Sequence, residues 1–402
     1  MLGSAMPGST IACPYCYQRI KRRKIKFVCT GGPGRLGKPC ALRLDEDLLT
    51  SRGIRRELGP IFDPGGVHGG ATNSARCDAC GSSSTYRICP HCHSQLPAKF
   101  GMVSGRMIAM AGAKESGKTV YMTVVLHELF NRVGAQYDAS IFGADDETLR
   151  RFGSDYDNPL YMRRNLLDAT QRAAGGLVDP LVFRFTADGG GLRGSRPQQT
   201  LMSFFDTAGE DFESSDSIEV NTRYLAGADG IMLLIDPLQL AGARRLAAPG
   251  TRLPDIEYQR PADILSLVTN MLLKQDRRGK TEIATPIAVV FTKLDALWHT
   301  LDEHTALRKD PPTAGRFDTR DSLDVHEEIR HLLPSWEGTQ IDQILRKHYP
   351  GNHRFFAVSA LGAGPTADNS VATSGIQPYR VADPLLWLLS NFGAVPRTRE
   401  DR

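Results

Sequence analysis

Gly112-Ala-Lys-Glu-Ser-Gly-Lys-Thr119 matches the pattern G-x-x-x-x-G-K-[ST] at every fixed position. It follows an apolar run at residues 107–110 and leads into residues 120–130, whose apolar side chains recur at helical spacing. A glycine loop between a strand and a helix lets backbone N–H groups and the helix N-terminus face a phosphate chain. The alternative is a glycine turn before a helix. The context favours a phosphate-binding loop.

In such a loop the lysine, Lys118, reaches the β- and γ-phosphates, and the hydroxyl of Thr119 ligates Mg²⁺. The loop residues expected to contact a nucleotide are Gly112, Ala113, Lys114, Glu115, Ser116, Gly117, Lys118, Thr119 and Val120.

Composition bounds the class of protein. The chain has 402 residues, of which 41% are hydrophobic and 23% charged, as in an ordinary soluble protein of two or three domains. The first ten residues lack an apolar core of signal-peptide length, and no later run approaches the roughly 20 apolar residues of a membrane span. We therefore expect a cytoplasmic protein with no membrane span.

Charge and cysteine content divide the chain. Residues 1–100 carry 15 Lys and Arg against 6 Asp and Glu, whereas the remainder carries 34 against 39. All eight cysteines also precede residue 100. The sequence predicts a small basic, cysteine-rich zinc-binding domain over 1–100 and a cysteine-free body over 104–395, with a boundary near 99–104.

Six of the cysteines form three C-x2-C pairs, a spacing that brings two thiolates onto one zinc ion. Eight thiolates predict two closed structural sites. One arrangement joins the last two pairs and leaves the first four cysteines for the other ion; a cross-braced arrangement, in which the first pair shares an ion with a later pair, stays open. Disulfides are the alternative, and they are rare in cytoplasmic proteins. The predicted ligands are Cys13, Cys16, Cys29, Cys40, Cys77, Cys80, Cys89 and Cys92.

The run Arg19-Ile-Lys-Arg-Arg-Lys-Ile-Lys26 carries six positive charges. It indicates either a face for nucleic acid or an acidic protein, or a solvated hairpin. Only Tyr15, Tyr17 and Phe27 offer stacking surface nearby, so nucleic-acid binding is the weaker hypothesis. Residues 59–74 are rich in Gly and Pro and predict a linker or loop between the metal sites.

Beyond the phosphate loop, apolar runs alternate with helical patterns, which predicts an α/β fold: a mostly parallel sheet with helices on both faces. The predicted strands are residues 107–110, 140–142, 181–186, 200–205, 231–235, 287–291 and 355–358. The predicted helices are residues 119–133, 146–174, 261–275, 321–333 and 384–392. Glycines at 189–194 predict a hairpin between strands 181–186 and 200–205, which is the antiparallel pairing at one edge.

Asp206-Thr-Ala-Gly209 directly follows one predicted strand. An aspartate at such a strand end, beside a phosphate loop, can hold the hydration shell of Mg²⁺. The glycine three residues later can offer its N–H group to the γ-phosphate.

Two further motifs bear on the base. Thr292-Lys-Leu-Asp295 follows strand 287–291, and its carboxylate can accept hydrogen bonds from guanine N1–H and the 2-amino group, while the stem of Lys293 packs on the base. Adenine lacks those donors and would leave the carboxylate unpaired. After strand 355–358, the small residues Ser359 and Ala360, followed by Leu361, let a backbone N–H group approach guanine O6.

Together and in this order, the four motifs resemble those of the Ras-like (TRAFAC-type) GTPases over about residues 104–395. With a zinc-knuckle segment before an enlarged GTPase domain, the chain also resembles the bacterial double-GTPase families, which are inferred to pair with a second GTPase in conflict or signalling systems. The resemblance implies a P-loop NTPase fold, GTP or GDP with Mg²⁺ as cofactors, and an effector or partner GTPase as the binding partner.

The resemblance also implies roles for residues. Lys118 would stabilise charge between the β- and γ-phosphates, Thr119 and Asp206 would hold Mg²⁺, and Gly209 would sense the γ-phosphate. Glu210 stands where many Ras-like proteins have a water-orienting glutamine. Three readings stay open: hydrolysis is slow, it needs an activator, or Glu210 acts as a base.

The threonine of the first switch, which ligates Mg²⁺ in the family, has two candidates here: Thr170 first and Thr148 second. Residues 241–260 and 300–320 exceed a minimal GTPase and are predicted to bind partners.

We therefore expect a GTP-binding and GTP-hydrolysing molecular switch with a zinc-containing docking module. One alternative is a nucleotide-binding scaffold with little hydrolysis of its own. Another is a zinc-ribbon nucleic-acid binder with a P-loop NTPase, against which the guanine-type motif at Thr292–Asp295 argues.

Overall fold

The body of the protein is built on one seven-stranded sheet. The computed structural model describes residues 10–32, 39–66, 69–167, 180–187, 198–204, 223–255, 260–275, 279, 281–313, 315–366 and 368–398. The strands of this sheet, numbered in chain order, are β1 (Ser104–Gly112), β2 (Ala139–Gly143), β3 (Leu181–Ala187), β4 (Gln198–Phe204), β5 (Gly230–Ile235), β6 (Ile287–Phe291) and β7 (His353–Ala357).

The strand order is β2-β3-β4-β1-β5-β6-β7. The run from β4 to β7 is parallel, whereas β2–β3 and β3–β4 pair antiparallel. The predicted mostly parallel α/β fold is confirmed, and so is the antiparallel pairing of the two hairpin strands. The prediction that this pair forms an edge is wrong, because β2 adds outside β3. The turn at 189–194 lies outside the described residues.

Helices cover both faces of the sheet, and β5 and β6 are buried along their whole length. This explains why those two strands read as continuous apolar runs. The main helices are α1 (Lys118–Glu128), α2 (Asp146–Arg151), α3 (Pro261–Gln275), α4 (Thr319–Leu332), α5 (Thr339–His348) and α6 (Asp383–Asn391). One core packs α3, α4 and α5 on one face, and a second core packs α1 and α6 on the other.

Two helices continue with π-helical geometry: α1 through Leu129–Val133 and α2 through Phe152–Met162. The predicted helix at 146–174 is therefore too long, because helical structure ends at Met162. Arg164 has a φ of 56°, and its carbonyl accepts a hydrogen bond from the N–H group of Val371. Residues 163–167 thus pair with a distant loop, and residues 168–174 lie outside the described residues.

In its described residues, the N-terminal part consists of short strands, a short α-helix at Glu46–Arg52 and two 3-10 turns at Arg22–Lys24 and Gly69–Ala71. Its central strand, Lys26–Val28, pairs antiparallel with Ile61–Phe62 and with Arg87–Ile88. The linker interpretation of residues 59–74 is wrong for the described residues of that stretch, since it supplies one of these strands. Its Gly70 is buried, and a Cβ there would lie 2.4 Å from the carbonyl oxygen of Ile25.

Among the helices of the described residues, none has the length and apolar character needed to cross a membrane.

Candidate nucleotide-binding site

Three of the predicted motifs, the phosphate loop, Thr292–Asp295 and Ser359–Ala360, lie at one edge of the sheet, where four neighbouring parallel strands end; the fourth, residues 206–209, lies outside the described residues. Gly112 of β1 lies opposite Leu234 of β5, and Phe291 of β6 lies opposite both Ile235 and Ala357. The segments that follow these strands therefore lie side by side. This is the edge at which parallel α/β sheets bind ligands.

The loop between β1 and α1 has the backbone of an anion cradle. Glu115 and Gly117 have φ values of 63° and 81°, and Gly117 caps the N-terminus of α1. At Gly112 the chain passes so close to β5 that a Cβ would lie 2.4 Å from the carbonyl oxygen of Leu234. Left-handed residues next to a helix N-terminus direct N–H groups to a common point, which fits a phosphate group.

Lys118 is folded against its own loop. Its side chain is buried, and Nζ donates hydrogen bonds to the carbonyl oxygens of Gly112 at 3.0 Å and Ala113 at 2.9 Å. The ammonium group is thus held at the loop, where it can exchange a carbonyl for a phosphate oxygen. Beneath the loop, the fully buried Oγ of Ser116 has no hydrogen-bond partner among the described residues.

The T-K-x-D segment is bonded directly to the phosphate loop. Thr292 Oγ1 lies 2.9 Å from the carbonyl oxygen of Ser116 and 3.2 Å from that of Ile235. Lys293 Nζ donates to the carbonyl oxygen of Glu115 at 2.9 Å. Thr292 therefore connects the end of β6 to the end of β5 and to the phosphate loop.

Sequence reasoning missed Asp236, which is fully buried directly after β5. Its Oδ2 accepts a hydrogen bond from Lys293 Nζ at 2.6 Å, and its Oδ1 accepts one from the N–H group of Leu238 at 2.8 Å. An acidic residue directly after a buried strand at this edge was a signal that could have found it.

The predicted base-recognising residues are also adjacent. Ser359 Oγ donates a hydrogen bond to Asp295 Oδ1 and accepts one from the N–H group of Gly362 at 2.9 Å. Asp295 is half-buried, and so are Ala360 and Leu361, which continue the loop after Ser359.

The described part of the inserted segment 241–260, which excludes residues 256–259, reaches this site at Asp255. The N–H group of Asp255 lies 3.4 Å from Glu115 Oε2, and Arg252 Nη1 donates to Asn369 Oδ1 at 3.2 Å. Ahead of the segment, Gln239 Nε2 donates to the carbonyl oxygen of Lys114 at 3.0 Å. The described part of the insertion thus contacts the phosphate loop, and partner binding by it stays a prediction.

Several predicted site residues lie outside the described residues: Asp206, Gly209, Glu210 and Thr170. Their roles stay predictions. Thr148 is described and is buried near the start of α2, where its Oγ1 lies 3.4 Å from the N–H group of Val182. Its hydroxyl is thereby directed to β3.

The eight cysteines form two groups of four, each with all its sulfurs within 4.8 Å of one another. Cluster A contains Cys13, Cys16, Cys89 and Cys92, and cluster B contains Cys29, Cys40, Cys77 and Cys80. The arrangement is cross-braced, so the pairing of the last two C-x2-C pairs on one ion is wrong. The reason is topological. Because strands Lys26–Val28 and Arg87–Ile88 run antiparallel, Cys29 and Cys89, which follow them, lie at opposite ends.

Both clusters fit zinc. Four sulfurs at about 2.3 Å from a tetrahedral zinc ion lie about 3.8 Å apart. Here the Sγ atoms of Cys13 and Cys92 lie 3.9 Å apart, and those of Cys16 and Cys89 lie 3.8 Å apart. In cluster B, Cys40 and Cys77 are 3.9 Å apart, and all eight cysteines are free thiols.

Two charges of the basic run have structural partners. Arg22 is buried and donates to the carbonyl oxygens of Gly101 at 2.8 Å and Val103 at 2.9 Å, and burial lowers its pKa. Arg19 lies 3.5 Å from the carboxylate of Asp229. The run is therefore only partly a solvated face.

A phosphate loop, a T-K-x-D motif and a following S-A motif, at adjacent strand ends of this sheet, define a P-loop GTPase fold. The family model described as Double-GTPase 2 matches residues 106–337, which is more than half of the chain. The chain belongs to the Double-GTPase 2 family.

A relative covers nearly the whole chain. SaeC of Mycolicibacterium smegmatis, provisionally named an ESX-1 scaffolding and assembly protein, is 26% identical over 411 residues, which is 95% of this chain and 99% of SaeC.

Two solved structures also align. The small GTPase Arl6 (BBS3) of Trypanosoma brucei with bound GppNp has 13% identity and a TM-score of 0.27, over 72% of this chain and 97% of that one. The signal recognition particle receptor complex SRb-GTP/SRX of Chaetomium thermophilum has 13% identity and a TM-score of 0.28, over 65% and 94%. At such TM-scores neither carries an argument about this chain.

Proposed function

We propose that the protein binds GTP or GDP with Mg²⁺ and hydrolyses GTP as a molecular switch. The observation that carries the proposal is the contact of Ser359 with Asp295, in a segment that is itself bonded to the phosphate loop. Hydrogen bonds thus place an oriented carboxylate in the same unit as the phosphate loop. That combination suits a guanine nucleotide.

The base would be recognised by Asp295. Its carboxylate accepts two hydrogen bonds from guanine, and the hydroxyl of Ser359 fixes the rotamer that presents it. Ala360 and Leu361 offer backbone N–H groups to guanine O6. Adenine presents neither donor to Asp295, so the site discriminates by leaving a carboxylate unpaired.

The phosphates would lie in the loop from Gly112 to Thr119, with Lys118 as the main cation. Thr119 and Asp206 would hold Mg²⁺, which neutralises charge on the β- and γ-phosphates when bound. Gly209 would report the presence of the γ-phosphate. Glu210 would determine the rate of GTP hydrolysis, because its carboxylate beside the γ-phosphate repels the negative charge unless it takes up a proton.

The switch would act on other proteins. The relative that spans nearly the full chain bears a name for scaffolding and assembly, which supports protein partners rather than a small-molecule substrate. We propose that the part over 1–100, with a zinc ion in each cluster, and the insertions at 241–260 and 300–320 supply the docking surfaces.

A second candidate function is a scaffold in which the nucleotide is a structural ligand that is not turned over. The name of the same relative favours it, and so does Glu210. The two candidates differ in one measurable property, the chemical step.

Nucleotide preference tests the binding proposal. The purified chain is titrated with fluorescent GDP and ADP, and a preference of about 100-fold or more for GDP is expected from two charge-assisted hydrogen bonds. Asp295→Asn should abolish that preference and favour a xanthine nucleotide, whose 2-oxo group accepts from an amide. Asp310→Asn, at an exposed position, is the matched control. Equal affinity for GDP and ADP would reject guanine recognition.

Single-turnover hydrolysis then separates the two candidates. The GTP-loaded protein is mixed with Mg²⁺ and the release of phosphate is followed. Hydrolysis that disappears in Lys118→Ala identifies the switch. Bound GTP that stays intact over hours, with and without added partner proteins, supports the scaffold.

A further inference from the structure

In the described part of the chain, cluster A lies against the seven-stranded sheet, whereas cluster B does not. Cys13, Cys89 and Cys92 share a hydrophobic cluster with Leu201 of β4. The side chain of Ile11 packs so closely on β1 that a Cβ at Gly105 would lie 2.1 Å from its Cδ1. Within the described residues, the hydrophobic cluster around cluster B contains no member of the seven-stranded sheet.

The contact continues from cluster A through Tyr17, the residue after Cys16. Tyr17 is buried with a φ of 63°, and its ring centroid lies 5.2 Å from that of Tyr224. The backbone of Tyr17 also lies close to Gly227, where a Cβ would be 2.8 Å from the carbonyl oxygen of Tyr17. Two residues later, Arg19 Nη2 donates to the carbonyl oxygen of Gly227 at 3.4 Å. The segment from Cys16 to Arg19, which leads out of cluster A, therefore packs against residues 224–229.

Tyr224 in turn holds the strand that carries the phosphate loop. Its buried hydroxyl accepts a hydrogen bond from the N–H group of Met110 at 2.8 Å and lies 3.3 Å from the carbonyl oxygen of Ile108. The pairing of β1 with β4 ends at Met107, so this hydroxyl serves the β1 backbone where no strand pairs on that side among the described residues. Gly112, the first residue of the phosphate loop, follows Met110 by two positions.

We infer that a zinc ion in cluster A is coupled to nucleotide binding, and that Tyr224 is the positioning residue that couples them. The ion fixes the loop that carries Tyr17, Tyr17 packs on Tyr224, and Tyr224 sets the position of the end of β1. This inference rests on the proposed guanine-nucleotide site. Coupling between two binding sites is reciprocal, so nucleotide must also stabilise the metal in cluster A. Among the described residues, the hydrophobic cluster around cluster B contains no residue of the seven-stranded sheet, so cluster B is an internal control.

The first test measures the dissociation rate of fluorescent GDP from the full-length chain. Tyr224→Phe removes only the hydroxyl and should speed dissociation about three- to tenfold, the effect of losing one buried hydrogen bond. Tyr17→Leu should give a similar increase. Tyr349→Phe is the matched control, since that buried hydroxyl bonds to Thr269 at 3.2 Å, away from the site.

The metal arm compares two half-buried ligands, Cys16 of cluster A and Cys40 of cluster B. Cys16→Ser should speed GDP dissociation, whereas Cys40→Ser should leave it within about twofold of the wild-type rate. Zinc content, measured on each variant, confirms which ion is lost. If Cys16→Ser does not fold, the two tyrosine variants still decide the question.

The reciprocal arm needs no substitution. The wild-type protein is treated with a thiol reagent with and without saturating GDP, and labelled peptides are quantified. GDP should slow the labelling of Cys16 at least threefold and leave that of Cys40 unchanged.

The outcomes separate this inference from the proposed function. A wild-type chain that binds no guanine nucleotide rejects the proposed function. A chain that binds GDP, but whose dissociation rate is the same in Tyr224→Phe, Tyr17→Leu and Tyr349→Phe, retains that function and overturns the coupling.

Discussion

The ion pair between Lys293 and Asp236 offers the sharpest test of the site's construction. Asp236 is fully buried, whereas the side chain of Lys293 is 38% exposed. Replacing the lysine with methionine keeps the length of its stem and removes the charge. Asp236 then retains the hydrogen bond from the N–H group of Leu238 but loses the ammonium group of Lys293, which lies 2.6 Å from its Oδ2. We expect Lys293→Met to lower the free energy of unfolding far more than the loss of an exposed lysine would.

The size of the effect follows from the geometry. At 2.6 Å the attraction is about 6 kcal/mol for an effective dielectric constant of about 20. Solvent reaches the lysine, which screens the pair, and desolvation of Asp236 offsets part of the rest. A hydrogen bond to a charged group contributes about 1.5–3 kcal/mol net. We therefore expect a coupling free energy of about 2–3 kcal/mol.

A double-mutant cycle measures this coupling. The free energy of unfolding is determined by urea denaturation for wild type, Lys293→Met, Asp236→Asn and the double variant. Lys293→Met should be the most destabilised, and adding Asp236→Asn should recover part of the loss, because no buried charge is then left unpaired. The exposed Lys347→Met serves as control and should change stability by less than about 0.5 kcal/mol. A coupling below about 0.5 kcal/mol would refute the reasoning.

Three further predictions concern stability and the loop. Burial, with Arg354 nearby, lowers the pKa of His326 to about 3, and its Nδ1 accepts from the N–H group of Phe355 at 3.0 Å. Because the folded protein holds this imidazole neutral, the histidine stabilises the fold fully above about pH 6.5, and this stabilisation is lost as the pH falls. The free energy of unfolding should therefore fall by about 2 kcal/mol from pH 7 to pH 5, and by less than that in His326→Asn. Arg380→Met should cost about 3–5 kcal/mol in urea denaturation, because it strands two acidic partners, the nearer at 2.7 Å. Gly112→Ala should lower the free energy of unfolding by about 1–3 kcal/mol and weaken GDP binding in a titration, because the added Cβ would lie 2.4 Å from the carbonyl oxygen of Leu234. Unchanged stability and affinity would contradict the close contact.

Much of the fold and the candidate site was predictable because the information is local. A strand buried on both faces must be apolar throughout, and the predicted residues 287–291 match β6. The predicted helix at 261–275 likewise matches α3. Once the strands are parallel, the residues that follow them must share an edge, so the meeting of the phosphate loop with Asp295 and Ser359 follows from the motifs. The helix α5 was missed, although Ile341 and Leu345 have helical spacing and both are buried.

Other features depend on which segments meet in three dimensions. The partner of Lys293 is Asp236, 57 residues earlier in the chain, and no spacing rule links the two. Cysteine pairing is similar, because neighbouring C-x2-C pairs are separated by the direction of the strands between them. The edge strand β2 was predicted as a strand, but its place outside β3 depends on tertiary pairing.

The change in composition near residues 99–104 marks a change in chemistry, and contacts run across it. Arg22, from the basic run, is bonded to Gly101 and Val103 on the way into β1. Arg19, from the same run, pairs with Asp229 just before β5. A charge run that composition presents as a free surface thus supplies contacts that hold cluster A against the GTPase sheet. The positive charge available to a partner is consequently less than six residues suggest, which is a physical reason to favour protein docking over nucleic-acid binding for this face.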